Sequence, residues 1–526
     1  LVLDASLPPG TPASEVFKPA SDYIFEIGLT PNRMDAMSHI GVAKDVCAFL
    51  NNIEQTHNYQ VQLPVLKALP KAGSPLSISV TIENTDACPR YAGVTITGVQ
   101  VAPSPEWLKA RLTAIGVRPI NNIVDVTNFV LHETGQPLHA FDAAAVKGNA
   151  IVVKNLPQGT PFVTLDEKER KLDATDLMIC NGAGEGMCIA GVFGGLHSGV
   201  TDATRDIFLE SAFFSAGGIR TTSFRHGLRT DAASRFEKGV DISNVVMALE
   251  RAADLICELS GGKAAADITD VYPSVKTKTQ VETTYSYIRK LSGSNYSASK
   301  IKNILGSLGF DLLSETAEGL RVAVPFSKPD ISLPADLVEE VMRIDGLDNI
   351  EIPSKITVSP ALSAQPDAES LKEKIAGYLA ANGFNEIFTN SITNSQYYPP
   401  EVLEHTVKMM NSLTVELDIM RPSMLETGLE SIAHNLNRKN EDLLFFEFGK
   451  TYRVLDKGYG ENNHLVLYLT GKQTAETWTH ASAPVDFYFL KGFVVNILKQ
   501  LGYKQLTWAE SAEPGLQPSW EIKVKN

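Results

Sequence analysis

The spacing of hydrophobic and polar positions predicts both strands and helices, mixed along the chain. Between residues 77 and 214, apolar runs of strand length, such as SISVTIE, RYAGVTITGVQV, AIVVKN and DIFLESAFF, are separated by turn residues. Apolar positions at helical spacing occur at 106–115 and 244–259. We therefore expect a mixed α/β domain over residues 77–274, within an α+β multidomain chain.

The residues before this domain predict a smaller unit over 1–76. Its pattern contains a short apolar strand in YIFEIG and a turn at Pro31-Asn32, and it ends in a proline-containing linker. A helix between them is expected to carry its apolar residues on one face: Ile40, Ala43, Val46, Cys47 and Leu50.

Two further domains are predicted after residue 274. Residues 275–353 contain a helix capped by Ser297 and stopped by Gly309, the strand LRVAVP and a helix from Pro334, which together resemble a winged-helix module. Residues 354–526 contain helices at 371–383 and 423–436 and the strand-like runs EIFTNSIT, LLFFEFGKTYR and HLVLYLTG. Long strands joined partly by short turns predict a large antiparallel sheet with helices on one face.

Composition excludes several classes of protein. The 526 residues include no apolar run near the roughly 18 residues of a membrane span. The five cysteines form no CxxC pair, which argues against a disulfide framework and a structural zinc site. A net charge of −14 argues against a protein that coats nucleic acid. We expect a soluble, cytoplasmic protein and, because the chain starts without methionine, a fragment of a longer one.

Five polar residues interrupt apolar runs at spacings that fit neither a helix face nor a strand face: Arg118, Asn128, His139, Glu210 and Thr230. Such positions are typical of a pocket wall. His139 follows Pro137 and is expected on a turn or at the start of a strand, where its ring can face a cavity. A buried structural histidine is the alternative. Thr127 and Asn128, 12 and 11 residues upstream, add hydrogen-bonding side chains.

Glu210 lies in the apolar run IFLESAFF, where an unpaired carboxylate is costly to bury. We expect it either to pair with an arginine such as Arg118 or to wait for a donor from a ligand. Nearby, Gly191, Gly194 and Gly195 predict a hairpin turn or a close approach of a ligand to the backbone. The glycine-rich loop 182–186 precedes a strand instead of a helix, which excludes a dinucleotide-binding loop and predicts a hairpin.

Two clusters of charge remain. Between Arg220 and Lys238, basic residues and histidine outnumber acidic residues, which predicts a solvated helix face or, if Thr230 and Ala232 line the pocket, a basic rim for a phosphate-bearing ligand. A second cluster surrounds Pro334 and consists of Asp330, Asp336, Glu339 and Glu340. The helix dipole favours acids in a first turn, but oxygen ligands at this density also suit Mg²⁺.

At these residues the sequence resembles the β-subunit family of bacterial phenylalanyl-tRNA synthetase. The similar segments include NNIVDVTNFVLHETGQPLHAFD, AGVFGGLHSGVT and RHGLRTDAASRFEKGVD, and the match extends over essentially the whole chain. The resemblance implies a B1-like domain over 1–76, a B3/B4 editing domain over 77–274 and a winged-helix-like B5 domain over 275–353. For 354–526 it implies an incomplete B6/B7 core, with the antiparallel sheet and helices of a class II synthetase. It also implies that an N-terminal OB-fold domain and a C-terminal anticodon-binding domain are absent from this chain.

The resemblance further implies hydrolytic editing of tRNA(Phe) mischarged with tyrosine. The β subunit would work in an (αβ)₂ heterotetramer, whose α subunit activates phenylalanine with ATP and Mg²⁺. Carried over by motif, the residues of the reaction would be His139, Glu210, Thr230 and Asn128. Those that bind the substrate would be Arg118, Thr127, Gly194 and Ala232. A Mg²⁺ site shared with the α subunit would consist of Asp330, Asp336, Glu339 and Glu340.

Several interpretations of this site stay open. Glu210 would accept a hydrogen bond from the phenol of tyrosine, whereas phenylalanine would leave the carboxylate unpaired. His139 would act as a general base or position water, and the lack of a second acid or base in the motifs favours positioning. The alternative functions are a noncatalytic structural and tRNA-binding subunit, and a winged-helix nucleic-acid binder at 280–350, against which its acidic residues argue.

Overall fold

The computed structural model of the chain describes residues 3, 6–17, 22–359, 367–512, 516 and 518–525. The chain divides into two compact units, Leu1–Ser354 and Lys355–Asn526. Among the described residues, no helix combines the length and the apolar character that crossing a membrane requires.

The first unit begins with helices and then builds two sheets. Its helices up to residue 260 are α1 (Ala13–Phe17), α2 (His39–Glu54), α3 (Glu106–Ala114), α4 (Val124–Thr134), α5 (Ala216–His226), α6 (Asp231–Phe236) and α7 (Val245–Ser260). Its strands up to residue 271 are β1 (Ser79–Ile82), β2 (Arg90–Thr97), β3 (Leu138–Asp142), β4 (Ala150–Asn155), β5 (Pro161–Val163), β6 (Glu169–Lys171), β7 (Leu177–Asn181), β8 (Gly186–Ile189), β9 (Phe193–Gly194), β10 (Asp206–Phe213), β11 (Lys263–Ala264) and β12 (Thr269–Val271).

One of these sheets is antiparallel and covered on both faces. Its strand order is β11-β2-β10-β3, and β12 also pairs with β2. Alternation along β10 sends Ile207 and Leu209 into a core with α3, α4 and α7. Phe208 and Ala212 belong to the core on the opposite face. The runs that the pattern predicted as strands and helices here are confirmed.

The second sheet contributes to that opposite core. Its order is β1-β4-β7-β8-β9, and all its pairs are antiparallel except β1 with β4. Ile151 and Met178 from this sheet share a core with Phe141 and Phe208 of the first sheet and with Phe236 of α6. The glycine-rich loop 182–186 joins β7 to β8, as the hairpin prediction requires.

Residues 280–345 form a three-stranded antiparallel sheet with three helices. The elements are β13 (Gln280–Thr284), α8 (Tyr285–Ser292), α9 (Ala298–Ser307), β14 (Asp311–Glu315), β15 (Gly319–Ala323) and α10 (Pro334–Asp345), and the strand order is β13-β15-β14. The predicted cap is confirmed, because the Ser297 hydroxyl accepts a hydrogen bond from the Lys300 amide at 3.2 Å. Ala48 of α2 shares the core of this region.

The second unit contains a long hairpin with helices around it. Its helices are α11 (Ala368–Ala381), α12 (Pro400–Leu403), α13 (Leu425–Leu436) and α14 (Phe487–Gln500). Its strands are β16 (Asn385–Glu386), β17 (Ile392–Thr393), β18 (Ile419–Met420), β19 (Leu443–Val454), β20 (Tyr459–Thr470), β21 (Gln505–Ser511) and β22 (Ser519–Lys525). Antiparallel β19 and β20 are paired over twelve residues each.

Three element predictions are wrong. The large antiparallel sheet is, in the described part of the second unit, a three-stranded sheet in which β16 runs parallel to β19. The run EIFTNSIT contributes only the short strands β16 and β17. The run YIFEIG forms no strand, because no described strand pairs with it, and Tyr23 is 91% exposed. Its apolar pattern alone could not supply a partner strand.

The helix α2 is confirmed, but its buried face differs from the prediction. Gly41 and Ala48 are its buried residues, whereas Val46 is 49% exposed. Small side chains face the neighbouring elements because α2 packs closely against α9 and α10.

Candidate functional site

The strand register places the predicted residues Glu210 and His139 side by side. Glu210 on β10 lies directly opposite His139 on β3 and, on its other side, opposite Gly93 on β2. Directly opposite residues of an antiparallel pair have Cβ atoms about 5 Å apart. The His139 ring packs edge-on against Phe141, with ring centroids 4.5 Å apart. Both side chains therefore belong to the sheet face that meets the second sheet.

Glu210 pairs with a tyrosine and not with an arginine. The Tyr91 hydroxyl donates a hydrogen bond of 2.6 Å to Glu210 Oε2, and both residues are buried. Arg118 is exposed, and no ion pair joins it to Glu210, so the predicted pairing with this arginine is wrong. Burial raises the pKa of Glu210 to about 8, although the Tyr91 hydrogen bond lowers it. Glu210 Oε1 accepts no hydrogen bond from the described residues.

His139 is a neutral imidazole next to this carboxyl. Burial lowers the pKa of His139 to about 4, because removal from water disfavours the charged ring. Its Nε2 atom is buried and has no hydrogen-bond partner among the described residues. A buried nitrogen without a partner leaves one hydrogen bond available to a bound molecule or water.

Gly194 forms part of the wall beside His139. A Cβ atom built on Gly194 would lie 3.3 Å from His139 Cε1 and 2.9 Å from Leu165 Cδ1. A side chain at this position would therefore press against Leu165 and the imidazole. Gly191, in the same segment, has φ +66°, and its added Cβ would lie 2.7 Å from the Phe214 ring, so this turn depends on glycine for both reasons.

Thr230 connects α6 to the segment that carries Gly194. Its hydroxyl caps α6 by accepting a hydrogen bond from the Ala233 amide at 3.0 Å. It also donates one to the Val192 carbonyl at 2.9 Å. Ala232, in the first turn of α6, packs against the core shared by the two sheets. The role of Thr230 in the structure is therefore to position this wall.

The remaining predicted residues are not joined to Glu210 or His139 by hydrogen bonds. The Thr127 hydroxyl donates to the Val124 carbonyl within α4 at 2.7 Å. Asn128, also on α4, is partly buried, and its side chain makes no hydrogen bond with the described residues. Val126 and Val130 of the same helix pack against the other face of the antiparallel sheet. Arg118 is exposed.

Two further residues of the site, Tyr91 and Leu165, were not predicted from the sequence. Tyr91 is fully buried, and burial, followed by the charge of Glu210, raises the pKa of its hydroxyl well above its usual range. Tyr91 could have been found from its position in the apolar run RYAGVTIT. A hydroxyl buried there needs a hydrogen-bond partner, as a buried carboxyl does. Leu165 lies in a turn whose contact with Gly194 depends on the tertiary fold.

The four predicted Mg²⁺ ligands have different surroundings in this chain. Among the described residues, no group of three or more His, Cys, Asp or Glu side chains could hold a metal ion. Asp336 Oδ2 accepts hydrogen bonds from the amides of Ser332 and Leu333 at the start of α10. Glu339 is exposed. Asp336 serves the helix end and Glu340 is paired within the chain, and the Mg²⁺ site shared with an α subunit stays a prediction.

A lysine supplies the positive charge that the buried carboxylates require. Lys328 Nζ lies 2.8 Å from Asp35 Oδ2 and 2.9 Å from Glu340 Oε2, and all three side chains are at most 10% exposed. Arg343 completes the pairing of Glu340 at 3.0 Å. Burial opposes the charged form of Glu340, but Arg343 and Lys328 outweigh it and lower its pKa. Glu340 therefore has two cationic partners within this chain.

The arrangement around Glu210 can distinguish a polar ligand group from an apolar one. Glu210 Oε1 accepts no hydrogen bond from the described residues, His139 Nε2 is buried without a partner, and Gly194 lies beside the imidazole. A neutral imidazole can accept or donate one hydrogen bond, and a carboxyl with a pKa near 8 can do either at neutral pH. These atoms can exchange hydrogen bonds with a polar group of a bound molecule.

Three protein families match successive parts of the chain. The B3/4 domain family matches residues 87–261, which contain the candidate site. The tRNA synthetase B5 domain family matches residues 281–347. The phenylalanyl tRNA synthetase beta chain CLM domain family matches residues 352–526.

Individual relatives match almost the whole chain. It is 46% identical over 518 residues to the phenylalanine–tRNA ligase beta subunit of Bacteroides thetaiotaomicron, covering 95% of this chain and 62% of that protein. It is 41% identical to the phenylalanine–tRNA ligase beta subunit of Porphyromonas gingivalis, over 100% of this chain and 66% of that protein. The chain thus spans about three fifths of the length of the curated relatives it matches.

A solved structure with partial similarity is an N-terminal fragment of the phenylalanyl-tRNA synthetase beta subunit from Pyrococcus horikoshii. The identity is 17% and the TM-score is 0.32, and the match covers 60% of this chain and 84% of the fragment.

Proposed function

Because the chain belongs to the family of phenylalanine–tRNA ligase β subunits, we propose that it hydrolyses tRNA(Phe) mischarged with tyrosine. In this reaction water attacks the ester carbonyl of Tyr-tRNA(Phe) and releases tyrosine and free tRNA. Tyrosine differs from phenylalanine by one hydroxyl, which an apolar pocket rejects only modestly, so a second, hydrolytic selection step is useful.

The observation that carries the proposal is the buried carboxyl of Glu210. Its Oε2 is satisfied by Tyr91, while Oε1 accepts no hydrogen bond from the described residues. The phenol of a bound tyrosine would supply the missing partner, and phenylalanine would leave the buried group unsatisfied at a cost of about 1–3 kcal/mol. This pocket would therefore bind the incorrect amino acid better than the correct one.

His139 would position the attacking water. Its low pKa keeps the ring neutral at physiological pH, and Nε2 is free for a hydrogen bond. Since no carboxylate hydrogen-bonds to this imidazole among the described residues, the arrangement lacks the orienting acid of a catalytic triad. Asn128, Thr127, Arg118 and Ala232 would complete the binding of the amino acid and of the tRNA end, with Thr230 positioning the wall.

The chain would also be a scaffold for an α subunit in an (αβ)₂ heterotetramer in the cytoplasm. The α subunit would attach phenylalanine to tRNA(Phe), and ATP and Mg²⁺ would be used there. The match of residues 352–526 to a synthetase β-chain domain supports a structural role for the second unit.

The decisive experiment compares hydrolysis of Tyr-tRNA(Phe) and Phe-tRNA(Phe) by the chain assembled with its α subunit. We expect selective hydrolysis of Tyr-tRNA(Phe). Glu210→Ala should lose most of the selectivity between the two substrates, on the order of tenfold for one lost hydrogen bond to a buried carboxyl. His139→Ala should slow hydrolysis of both. Glu318→Ala, which removes an exposed carboxylate outside every predicted site, is the matched control.

The noncatalytic alternative makes a different prediction. A folded complex that attaches phenylalanine to tRNA but leaves Tyr-tRNA(Phe) intact would contradict the editing proposal. The chain would then be a structural subunit with an inactive pocket.

A further inference from the structure

A groove on the first unit combines positive charge with an exposed aromatic ring. It has a volume of about 990 Å³ and lies along α5 and the ends of α6. We call the residues Arg220, Phe224, Arg229 and Lys238, which line it, the basic groove. None of them belongs to the editing residues named above.

The cations of the basic groove are available to a ligand. Within the described part of the chain, Arg220 and Lys238 have no ion-pair partner, and Arg229 has only a 3.9 Å contact with Glu237. By contrast, the adjacent Arg225 is bound to Asp176 at 2.5 Å. Unpaired cations grouped on one surface of a chain with a net charge of −14 are suited to an external anion.

The aromatic ring is held in solvent by an anchored helix. Phe224 is 77% exposed. The residues around it are fixed by the buried carboxylate of Asp176, which accepts hydrogen bonds from Thr222 at 2.9 Å and from Arg225 at 2.5 Å. His226 Nε2 lies 2.7 Å from the other oxygen of the same carboxylate. Phe224 is therefore a preorganised surface for stacking, and its exposure does not result from a loosely packed segment.

The spacing of ring and charge fits a single-stranded nucleic acid. Arg220 and Phe224 are four residues apart on α5, so they lie on the same side of the helix about one turn apart, ~5.4 Å. Binding of single strands requires a π-surface for a base and cations that follow the backbone phosphates. A duplex would offer no unstacked base to the ring.

The basic groove is linked to the candidate editing site through the chain and one hydrogen bond. Arg229 directly precedes Thr230, whose hydroxyl donates to the Val192 carbonyl at 2.9 Å. Val192 is two residues from Gly194, whose added Cβ would lie 3.3 Å from His139. We propose that the basic groove binds the single-stranded 3′ end of the aminoacylated tRNA, with a base on Phe224 and phosphates on Arg220, Arg229 and Lys238. This inference rests on the proposed function.

The first test measures binding without chemistry. The chain assembled with its α subunit is titrated into a fluorescently labelled single-stranded RNA ending in CCA, and anisotropy is recorded. Phe224→Ala should weaken binding at least about fivefold, Phe224→Trp should retain it and Phe224→Leu should not. Arg220→Ala and Lys238→Ala should each reduce the dependence of log affinity on log salt by about 0.7. The proposal is wrong if an acidic peptide binds as tightly as the RNA and Phe224→Ala does not change binding of the RNA.

Matched controls come from exposed residues of the second unit. Phe388→Ala removes a ring that is 96% exposed, and Lys457→Ala removes an exposed lysine without an ion pair among the described residues. Neither should change RNA binding. If the groove variants behave like these controls, the inference is wrong.

The second test separates this inference from the proposed function. In steady-state hydrolysis of Tyr-tRNA(Phe), Phe224→Ala should raise KM several-fold and leave kcat nearly unchanged, since the ring does not touch the ester. If the wild type hydrolyses Tyr-tRNA(Phe) but the groove variants change neither KM nor RNA binding, only the proposed role of the basic groove is wrong. If the wild-type complex binds RNA through Phe224 but does not hydrolyse Tyr-tRNA(Phe), only the proposed editing reaction is wrong.

Discussion

The protonation of Glu210 makes the stability of the protein depend on pH. Its pKa is raised from 4.5 to about 8 in the folded protein, so folding takes up a proton between these values. The contribution of this group to stability is therefore greatest below pH 4.5 and is lost as the pH rises through 8. We expect Glu210→Gln to remove this dependence, which has a maximal slope of about 1.4 kcal/mol per pH unit.

Chemical denaturation at several pH values between 5 and 9 measures this effect. The free energy of unfolding of the wild type, minus that of Glu210→Gln, should decrease as the pH rises. A difference for Glu210→Gln that does not vary with pH would contradict a buried, protonated carboxyl.

Gly194 gives a second prediction at this scale. Gly194→Ala places a methyl group 3.3 Å from His139 Cε1 and 2.9 Å from the terminal carbon of Leu165. Leu165 can move aside, so we expect the free energy of unfolding to change by less than about 1 kcal/mol. Hydrolysis of Tyr-tRNA(Phe) should fall about tenfold or more, because the tyrosine ring of the substrate would be displaced.

The control for Gly194 is Gly377→Ala in α11. An added Cβ there meets no atom within 4 Å, and this variant should keep full hydrolysis. Equal hydrolysis by Gly194→Ala and the wild type would show that the ring does not occupy this space.

Single residues of the site were predictable only where their chemistry conflicted with their surroundings. Glu210 and His139 stood out because polar groups in apolar runs need an explanation, and the register of β3 and β10 places them side by side. The partner of Glu210 was not predictable. Pairing with Arg118 was the expectation from charge, but Tyr91 on the neighbouring strand is closer to Glu210 because β2 pairs with β10.

At the scale of elements, sequence periodicity predicted helices and central strands well. It failed where an element depends on a partner: YIFEIG lacks a described strand to pair with, and EIFTNSIT is split into two short strands. The helix α8 was missed because its eight residues include only a short apolar pattern, YSYIRKLS. Register and pairing are set by tertiary contacts, which one sequence does not display.

The pairing of Lys328 with two carboxylates leads to a prediction for α10 and the segment that contains Asp35. Because cationic side chains of this chain already pair with Asp35 and Glu340, removal of Mg²⁺ should leave unfolding of this region unchanged. Lys328→Met leaves two buried carboxylates without this partner and should destabilise the unit by about 3–5 kcal/mol.

Thermal unfolding with EDTA and with millimolar Mg²⁺ measures this prediction. The wild type should unfold at the same temperature in both, and only Lys328→Met should gain stability from Mg²⁺. Lys302→Met, which breaks a more exposed pair with Glu315 at 2.9 Å, should cost about 0–1 kcal/mol. A clear loss of wild-type stability in EDTA would contradict the internal ion pair and favour a bound metal.

At the scale of the whole molecule, charge and core are both distributed unevenly. The net charge of −14 hides the unpaired cations of the basic groove, so total charge excludes coating of nucleic acid but not a local contact. The apolar cores are likewise separate: three belong to the first unit and two to the second. Amino-acid composition reveals neither the local group of cations nor the separation of the apolar cores.

Because each unit has its own core, we expect calorimetry to record two unfolding transitions. The second unit contains a buried pair in which Arg421 Nη1 lies 3.0 Å from Glu447 Oε1, with side-chain exposures of 3% and 1%. Thr389 also donates to Glu447 at 2.7 Å. Arg421→Met leaves Glu447 charged and buried, which should lower the stability of the second unit by about 3–5 kcal/mol. One transition should therefore move to lower temperature, whereas Lys328→Met should move the other. A single transition that both variants shift together would instead mean that the chain unfolds as one cooperative body.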